Sequence, residues 1–84
     1  MKLGAELDFA QVQRLLDGGV QPPADGRLDL SPVHRMDSAG LSLLLELTRR
    51  ARAQGRELRI AGAGEQPRAL AHVFGVDGLL KFEA

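Results

Sequence analysis

The segment of residues 27–61 constrains the fold of this chain most strongly, because it reads as strand, helix and strand in succession. Alternating apolar residues predict a strand over residues 27–33. A helix then begins at Asp37 or Ser38 and runs to about residue 54, and a second strand covers residues 57–61. A crossover of this length places the two strands parallel, with a right-handed connection. The segment therefore predicts an α/β fold.

Two further helices flank this unit. The apolar spacing of residues 9–16 predicts a helix, with Asp8 as its N-cap and Gly18-Gly19 as its stop. Residues 67–74 predict another helix, because Pro67 suits a first helical turn. The chain thus alternates strands and helices, which predicts helices packed against a sheet.

The two ends of the chain have room only for short strands. Residues 79–82 predict a final short strand or helical turn, and residues 1–7 leave a first strand that is short or missing. We predict one domain over residues 1–84, with a mixed β-sheet and helices packed mainly on one face. A neighbouring strand without a full partner invites pairing between chains, so a homodimer is one expected state.

Composition excludes several classes of function. Eleven Lys and Arg residues balance eleven Asp and Glu residues, and this zero net charge argues against a nucleic-acid partner. The absence of cysteine excludes a disulfide framework and a thiolate metal site. Residues 1–8 lack the apolar segment of a signal peptide, and no apolar run approaches the ~20 residues of a membrane span. We therefore expect a cytoplasmic protein whose connection to any membrane comes through a partner.

The central helix has a wide apolar face. Its main stripe consists of Leu41, Leu44, Leu45, Thr48 and Ala51. Leu43 and Leu47 extend this stripe to an arc of roughly 200°, which exceeds what one sheet covers. Either neighbouring helices cover the extra flank, or Leu43 and Leu47 form an exposed docking flank for a partner.

The start of this helix, Asp37-Ser38-Ala39-Gly40, allows two interpretations. In the structural one, Asp37 or Ser38 caps the first turn, and Gly40 permits close approach of a neighbouring strand or a partner. In the functional one, Ser38 contacts a partner or is phosphorylated, because a helix N-terminus stabilises a phosphate locally. The residues alone leave both open.

No constellation of residues predicts catalysis, a cofactor or a metal site. Ser38, His34 and Asp37 are the residue types of a nucleophilic triad, but they lie within five residues and lack an oxyanion-stabilising feature. His34 and His72 lack metal-ligand spacing. The glycines of residues 62–64 lack the third glycine of a dinucleotide-binding fingerprint. We therefore expect a binding module and not an enzyme.

Residues 28–46 resemble the core signature of STAS domains. In that family, a strand ending in an Asp-Leu-Ser-like triplet leads through a short loop to Asp-Ser/Thr-Ala/Ser-Gly-Leu. The similarity extends over residues 4–9, 58–62 and 70–80, and so covers nearly the whole chain. The resemblance implies a non-catalytic domain that binds a partner through Asp37, Ser38, Ala39 and Gly40.

Two branches of the family are similar to this chain. The MlaB-like branch implies a cytoplasmic subunit that binds the ATPase of an Mla-type ABC transporter, which moves phospholipids to maintain outer-membrane lipid asymmetry. The alternative is an anti-sigma factor antagonist, in which a kinase-type anti-sigma factor phosphorylates the serine at Ser38. The short length and Ala39, where antagonists favour a second serine, look more like the MlaB-like branch.

Overall fold

Three α-helices and five short strands lie along residues 3–83, the part of the chain that the computed structural model describes. In chain order the elements are β1 Glu6–Leu7, α1 Phe9–Asp17, β2 Arg27–Asp29, β3 Arg35–Met36, α2 Ser38–Ala53, β4 Arg59–Ala61, α3 Glu65–Val73 and β5 Lys81–Phe82. A 3-10 turn at Asp77–Leu79 precedes β5. The α/β class predicted from residues 27–61 is confirmed.

The strands of residues 3–83 form two small parallel sheets, which together contain three strand pairings. β1 pairs with β3, while β2, β4 and β5 form a three-stranded sheet with β4 in the middle. The sequence predicts a mixed sheet, with both parallel and antiparallel pairs, but every strand pair within residues 3–83 is parallel. The reason is topological: at least one helix lies in the chain between the two strands of each pair, and such crossovers bring strands together in the same direction.

A tight turn divides the strand that the sequence predicts over residues 27–33. β2 ends at Asp29, whose side chain accepts a hydrogen bond of 2.9 Å from the backbone N–H of Ser31, and this bond lowers the pKa of Asp29. The backbone N–H of Val33 then donates to the carbonyl of Leu30 at 2.9 Å, while Pro32 has no N–H to offer. The chain re-enters extended structure as β3, where the sequence predicts only a connection.

The predicted helix starts are correct for α1 and α2. Asp8 is the N-cap of α1 and accepts from the backbone N–H of Gln11 at 3.0 Å, and Gly18 ends that helix. Asp37, not Ser38, is the N-cap of α2. α3 begins at Glu65, two residues before Pro67, because proline is tolerated throughout the first turn, where N–H groups lack helical partners.

The predicted short strands at both ends are present. β1 contains two residues, which agrees with a shortened first strand, although Met1 and Lys2 lie outside the described residues. β4 and β5 are also brief. The 3-10 turn overlaps the segment predicted as a final strand or helical turn only at Leu79, and β5 occupies the end of that segment.

The buried face of α2 differs from the predicted one. Its buried residues are Gly40, Leu41, Leu43, Leu44, Leu47, Thr48 and Ala51. The hypothesis of an exposed docking flank at Leu43 and Leu47 is wrong, because their exposed fractions are 2% and 0%. α1 and α3 both contact α2, and a buried arc of about 160° results. Leu45, assigned to the main stripe, lies at its margin and is half-buried.

Within residues 3–83, no helix combines the length and the apolar character that crossing a bilayer requires.

Candidate functional site

The starts of α1 and α2 lie together at the edge formed by the carboxyl ends of β1 and β3. Asp8 follows β1 directly and Asp37 follows β3 directly. Because β1 and β3 are parallel, both acids and both helix starts lie at one edge. A shallow depression of about 110 Å³ marks this edge, and its lining consists of Glu6, Asp8, Arg35, Met36, Asp37 and Gln66.

The carboxylate of Asp37 caps two helices. Its Oδ1 accepts hydrogen bonds from the backbone N–H groups of Ala39 at 2.9 Å and Gly40 at 3.3 Å. Its Oδ2 accepts a third bond, at 3.2 Å, from the backbone N–H of Phe9, the first residue of α1. Free N–H groups at two helix starts thus share one anion, which both helix dipoles favour. Asp37 therefore joins α1 to α2.

Gly40 allows α2 to approach β1 closely. A Cβ atom at this position would lie 2.5 Å from the backbone oxygen of Leu7 and 3.1 Å from the Cβ of Met36. Gly40 is also buried. Of the two occupants that the sequence allows beside this glycine, a neighbouring strand or a partner, the structure places the strand there. Ala39 is half-buried and packs against the core.

Ser38, like Asp37, is an exposed member of the motif. Within residues 3–83 its hydroxyl makes no hydrogen bond, and only its backbone carbonyl is used, as the acceptor from the Ser42 hydroxyl at 3.0 Å. The predicted site residues are therefore brought together, but they have different roles. Asp37 and Gly40 build the helix start, and Ser38 presents its hydroxyl to solvent.

Two residues of this edge were not predicted. Phe9 has an exposed fraction of 69% and is held beside the motif by its bond to Asp37. The side-chain Oε1 of Gln66, at the start of α3, accepts from the backbone N–H of Met36 at 2.8 Å. Both contacts join residues about thirty positions apart in the sequence, and a local sequence pattern therefore does not predict them. The one sequence feature that could have indicated a role for Phe9 at this edge is its position as an apolar residue at the start of a helix.

The two histidines do not form a shared site with the motif. His34 is exposed on the connection before β3. His72 lies 3.2 Å from an Asp77 carboxylate oxygen, and this contact lowers the pKa of Asp77. Among residues 3–83, no three His, Cys, Asp or Glu side chains are grouped so that they could hold a metal ion.

The match to a family model covers the motif and the elements around it. Residues 1–81 match the model described as "Mlab, STAS domain". No curated protein matches the chain. The matched region contains β1 to β3, all three helices and the edge at which α1 and α2 begin.

Proposed function

Because the chain belongs to the STAS domain family and is MlaB-like, we propose that it binds the ATPase subunit of an Mla-type phospholipid-transport ABC transporter. In this role it is a non-catalytic subunit that supports assembly or activity of the transporter. Contact with the ATPase gives the chain its place at the inner membrane.

The exposed hydroxyl of Ser38 is the observation that carries this proposal. Asp37 and Gly40 are used by the fold itself, so a change at either alters the helix start as well as any interface. Ser38 is presented outward with no internal partner within residues 3–83. A small exposed hydroxyl at the centre of a contact tolerates close approach of a second backbone, and it can donate and accept hydrogen bonds.

Phe9 supplies the apolar part of this contact surface. Its side chain is 69% exposed and lies on the helix start that Asp37 holds next to Ser38. Exposed aromatic side chains are enriched among the residues that contribute most to protein interfaces. We define the contact surface as Phe9, Ser38 and Ser42, three exposed residues at the starts of α1 and α2.

Binding of the purified chain to the ATPase subunit of the corresponding transporter tests this proposal. Ser38→Asp should weaken binding by about tenfold or more, because it adds a charge beside Asp37 that the interface must desolvate. Ser38→Ala removes only a hydroxyl and should have a smaller effect. Phe9→Ala should weaken binding about tenfold through lost burial.

Ala69→Asp is the matched control, since it adds the same charge at an exposed position on α3. Its affinity for the ATPase should equal that of the unaltered chain. Thermal unfolding monitored by circular dichroism should show that Ser38→Asp and Phe9→Ala remain folded. Unchanged affinity of both folded variants would contradict the proposed surface.

The same exposed hydroxyl favours a second candidate, an anti-sigma factor antagonist that is phosphorylated at Ser38. A phosphate there would bring about two negative charges next to Asp37, which already occupies the N–H groups of Ala39 and Gly40. Its effect would therefore be repulsion of a partner and not a new cap. Incubation with a kinase-type anti-sigma factor and ATP, followed by mass spectrometry, should then detect phosphate on Ser38. A phosphate that persists in Ser38→Ala would contradict this assignment.

A further inference from the structure

Two adjoining depressions run along α2 towards β5, away from the helix start. One has a volume of about 340 Å³ and is lined by Leu45, Thr48, Arg49, Arg52 and Leu79. The other has a volume of about 310 Å³ and is lined by Thr48, Arg52, Gly55, Arg56, Glu57, Leu58 and Lys81. Because Thr48 and Arg52 line both, we treat them as one surface, the α2–β5 groove. Arg52 lies about 21 Å along the helix from Ser38.

One half of the α2–β5 groove is mainly apolar. Leu79, on the 3-10 turn, has an exposed fraction of 50%, and Leu45 on α2 is half-buried. The floor residue Thr48 adds no free donor, because its hydroxyl donates to the carbonyl of Leu44 at 2.8 Å. An apolar side chain placed here would cover Leu45 and Leu79 without stranding a polar group.

The other half of the groove carries an excess of positive charge. Arg52, Arg56 and Lys81 line it, opposed by Glu57. Within residues 3–83, neither Arg52 nor Lys81 forms a salt bridge. Arg52 lies in the last turn of α2, where the negative end of the helix dipole favours a cation. This dipole does not explain the cation at Lys81, which lies on β5.

The remaining arginines of the groove are held in place. The guanidinium of Arg56 donates to the carbonyls of Pro23 and Ala24 at 3.2 and 2.9 Å. Arg49 is paired with Glu46 through bonds of 2.9 and 2.8 Å, so it contributes little net charge. The cations without a salt bridge within residues 3–83 are therefore Arg52 on α2, which lines both halves, and Lys81 on β5, which lines the charged half.

We propose that the α2–β5 groove binds an acidic peptide segment of a partner protein. One apolar side chain of the segment contacts Leu45 and Leu79, and its carboxylates pair with Arg52 and Lys81. The groove is open to solvent along its length, which suits a peptide, whereas a lipid acyl chain there would stay in contact with water. This site goes beyond the proposed function, and its test needs no ABC-transporter ATPase.

The experiment selects a random-peptide display library on the intact chain, and then measures affinities of the enriched synthetic peptides by fluorescence anisotropy. Enriched peptides should combine Asp or Glu with Leu, Ile or Phe, and should shift the NMR amide signals of Leu79 and Lys81. The double variant Arg52→Gln/Lys81→Gln should weaken their binding about fivefold or more, as should Leu79→Ser. Arg14→Gln, an exposed arginine on α1, is the matched control and should leave binding unchanged.

Three results would overturn the proposal. The first is no enrichment over the Arg52→Gln/Lys81→Gln/Leu79→Ser variant, provided that circular dichroism shows this variant to be folded. The second is enrichment of peptides without acidic residues. The third is that vesicles of phosphatidylcholine with phosphatidylglycerol co-sediment the chain through Arg52 and Lys81 while no peptide binds, which would assign the groove to a lipid surface.

Discussion

Asp37 contributes more to stability than an ordinary helix cap, because its carboxylate serves α1 as well as α2. Asp37→Ala leaves the N–H groups of Phe9, Ala39 and Gly40 without this acceptor. We expect the free energy of unfolding to fall by about 2 kcal/mol, the sum of a lost cap and one further hydrogen bond. Urea unfolding followed by circular dichroism measures this change.

Asp8→Ala is the control for Asp37→Ala, because Asp8 caps α1 alone, through one bond to the Gln11 N–H. Loss of this cap should lower the free energy of unfolding by about 1 kcal/mol. Equal losses for the two variants would show that the bond from Asp37 to Phe9 adds nothing to stability.

Gly40 reverses the usual effect of exchanging glycine for alanine in a helix. Such an exchange typically stabilises by about 1 kcal/mol. Here the added Cβ meets the Leu7 backbone oxygen, so Gly40→Ala should instead lower the free energy of unfolding by about 1–3 kcal/mol. Gly78→Ala is the control, because no atom lies within 4 Å of its added Cβ. Its effect should stay within about 0.5 kcal/mol in the same urea experiment, and a stabilising Gly40→Ala would refute the packing argument.

At the level of elements, helices were predicted well because their signals are local. Asp8 and Asp37 are capping residues directly before apolar periodicity, and both act as caps. The orientation of α2 about its own axis was predicted less well. A helical wheel gives the width of an apolar arc, but the positions of α1 and α3 decide which part is covered, so Leu43 became buried and Leu45 half-exposed.

The strands were harder to predict because their ends depend on pairing partners. The turn after β2 nevertheless has a local signal: Asp29, Ser31 and Pro32 form a turn sequence within an otherwise alternating segment. At the candidate site, the sequence predicts a cap at Asp37 or Ser38 and a close approach of a strand or a partner at Gly40, and the structure selects Asp37 and the strand. The contact between Phe9 and Asp37 does not, because it depends on how α1 and α2 meet.

The ion pairs of Glu46, in the third turn of α2, should make the free energy of unfolding depend on pH. Hydrogen bonds from Arg49 and Arg50 lower the pKa of Glu46 to about 2, from a usual value of 4.5. Because the folded-state pKa is depressed, this stabilisation is fully present above the unfolded pKa and is lost as the pH falls from about 4.5 to about 2. Glu46→Gln should therefore lose stability relative to the unaltered chain above that window, and the difference should vanish below it.

NMR titration of the Glu46 carboxyl carbon measures the depressed pKa directly. In Arg49→Gln/Arg50→Gln the Glu46 titration should move up towards its usual range, since both hydrogen-bond donors to its carboxylate are lost. An unchanged Glu46 titration in this variant would show that the two arginines do not cause the shift.

At the scale of the whole molecule, the two sheets share one core. Leu7 of β1, Leu28 of β2, Ile60 of β4 and Ala71 of α3 belong to the same buried cluster as the leucines of α2. The Cα radius of gyration is 11.6 Å, close to the roughly 12 Å expected for a chain of this length. Compactness therefore does not depend on a continuous sheet, since residues of both sheets and of α2 belong to one buried cluster.

The hydrogen bonds of the two sheets should nevertheless open with different free energies. The β1–β3 ladder pairs two residues per strand, whereas β4 is paired on both sides within the three-stranded sheet. Native-state hydrogen exchange should show the amide of His34, bonded to Ala5, exchanging by a local opening with little urea dependence. The amide of Arg59, bonded to Gly26, should exchange only on global unfolding. If the chain binds the ATPase as proposed, binding should slow exchange at His34, because β3 leads directly into the helix start of Ser38. Identical free energies and urea dependences for both amides would mean that the candidate site is as rigid as the core.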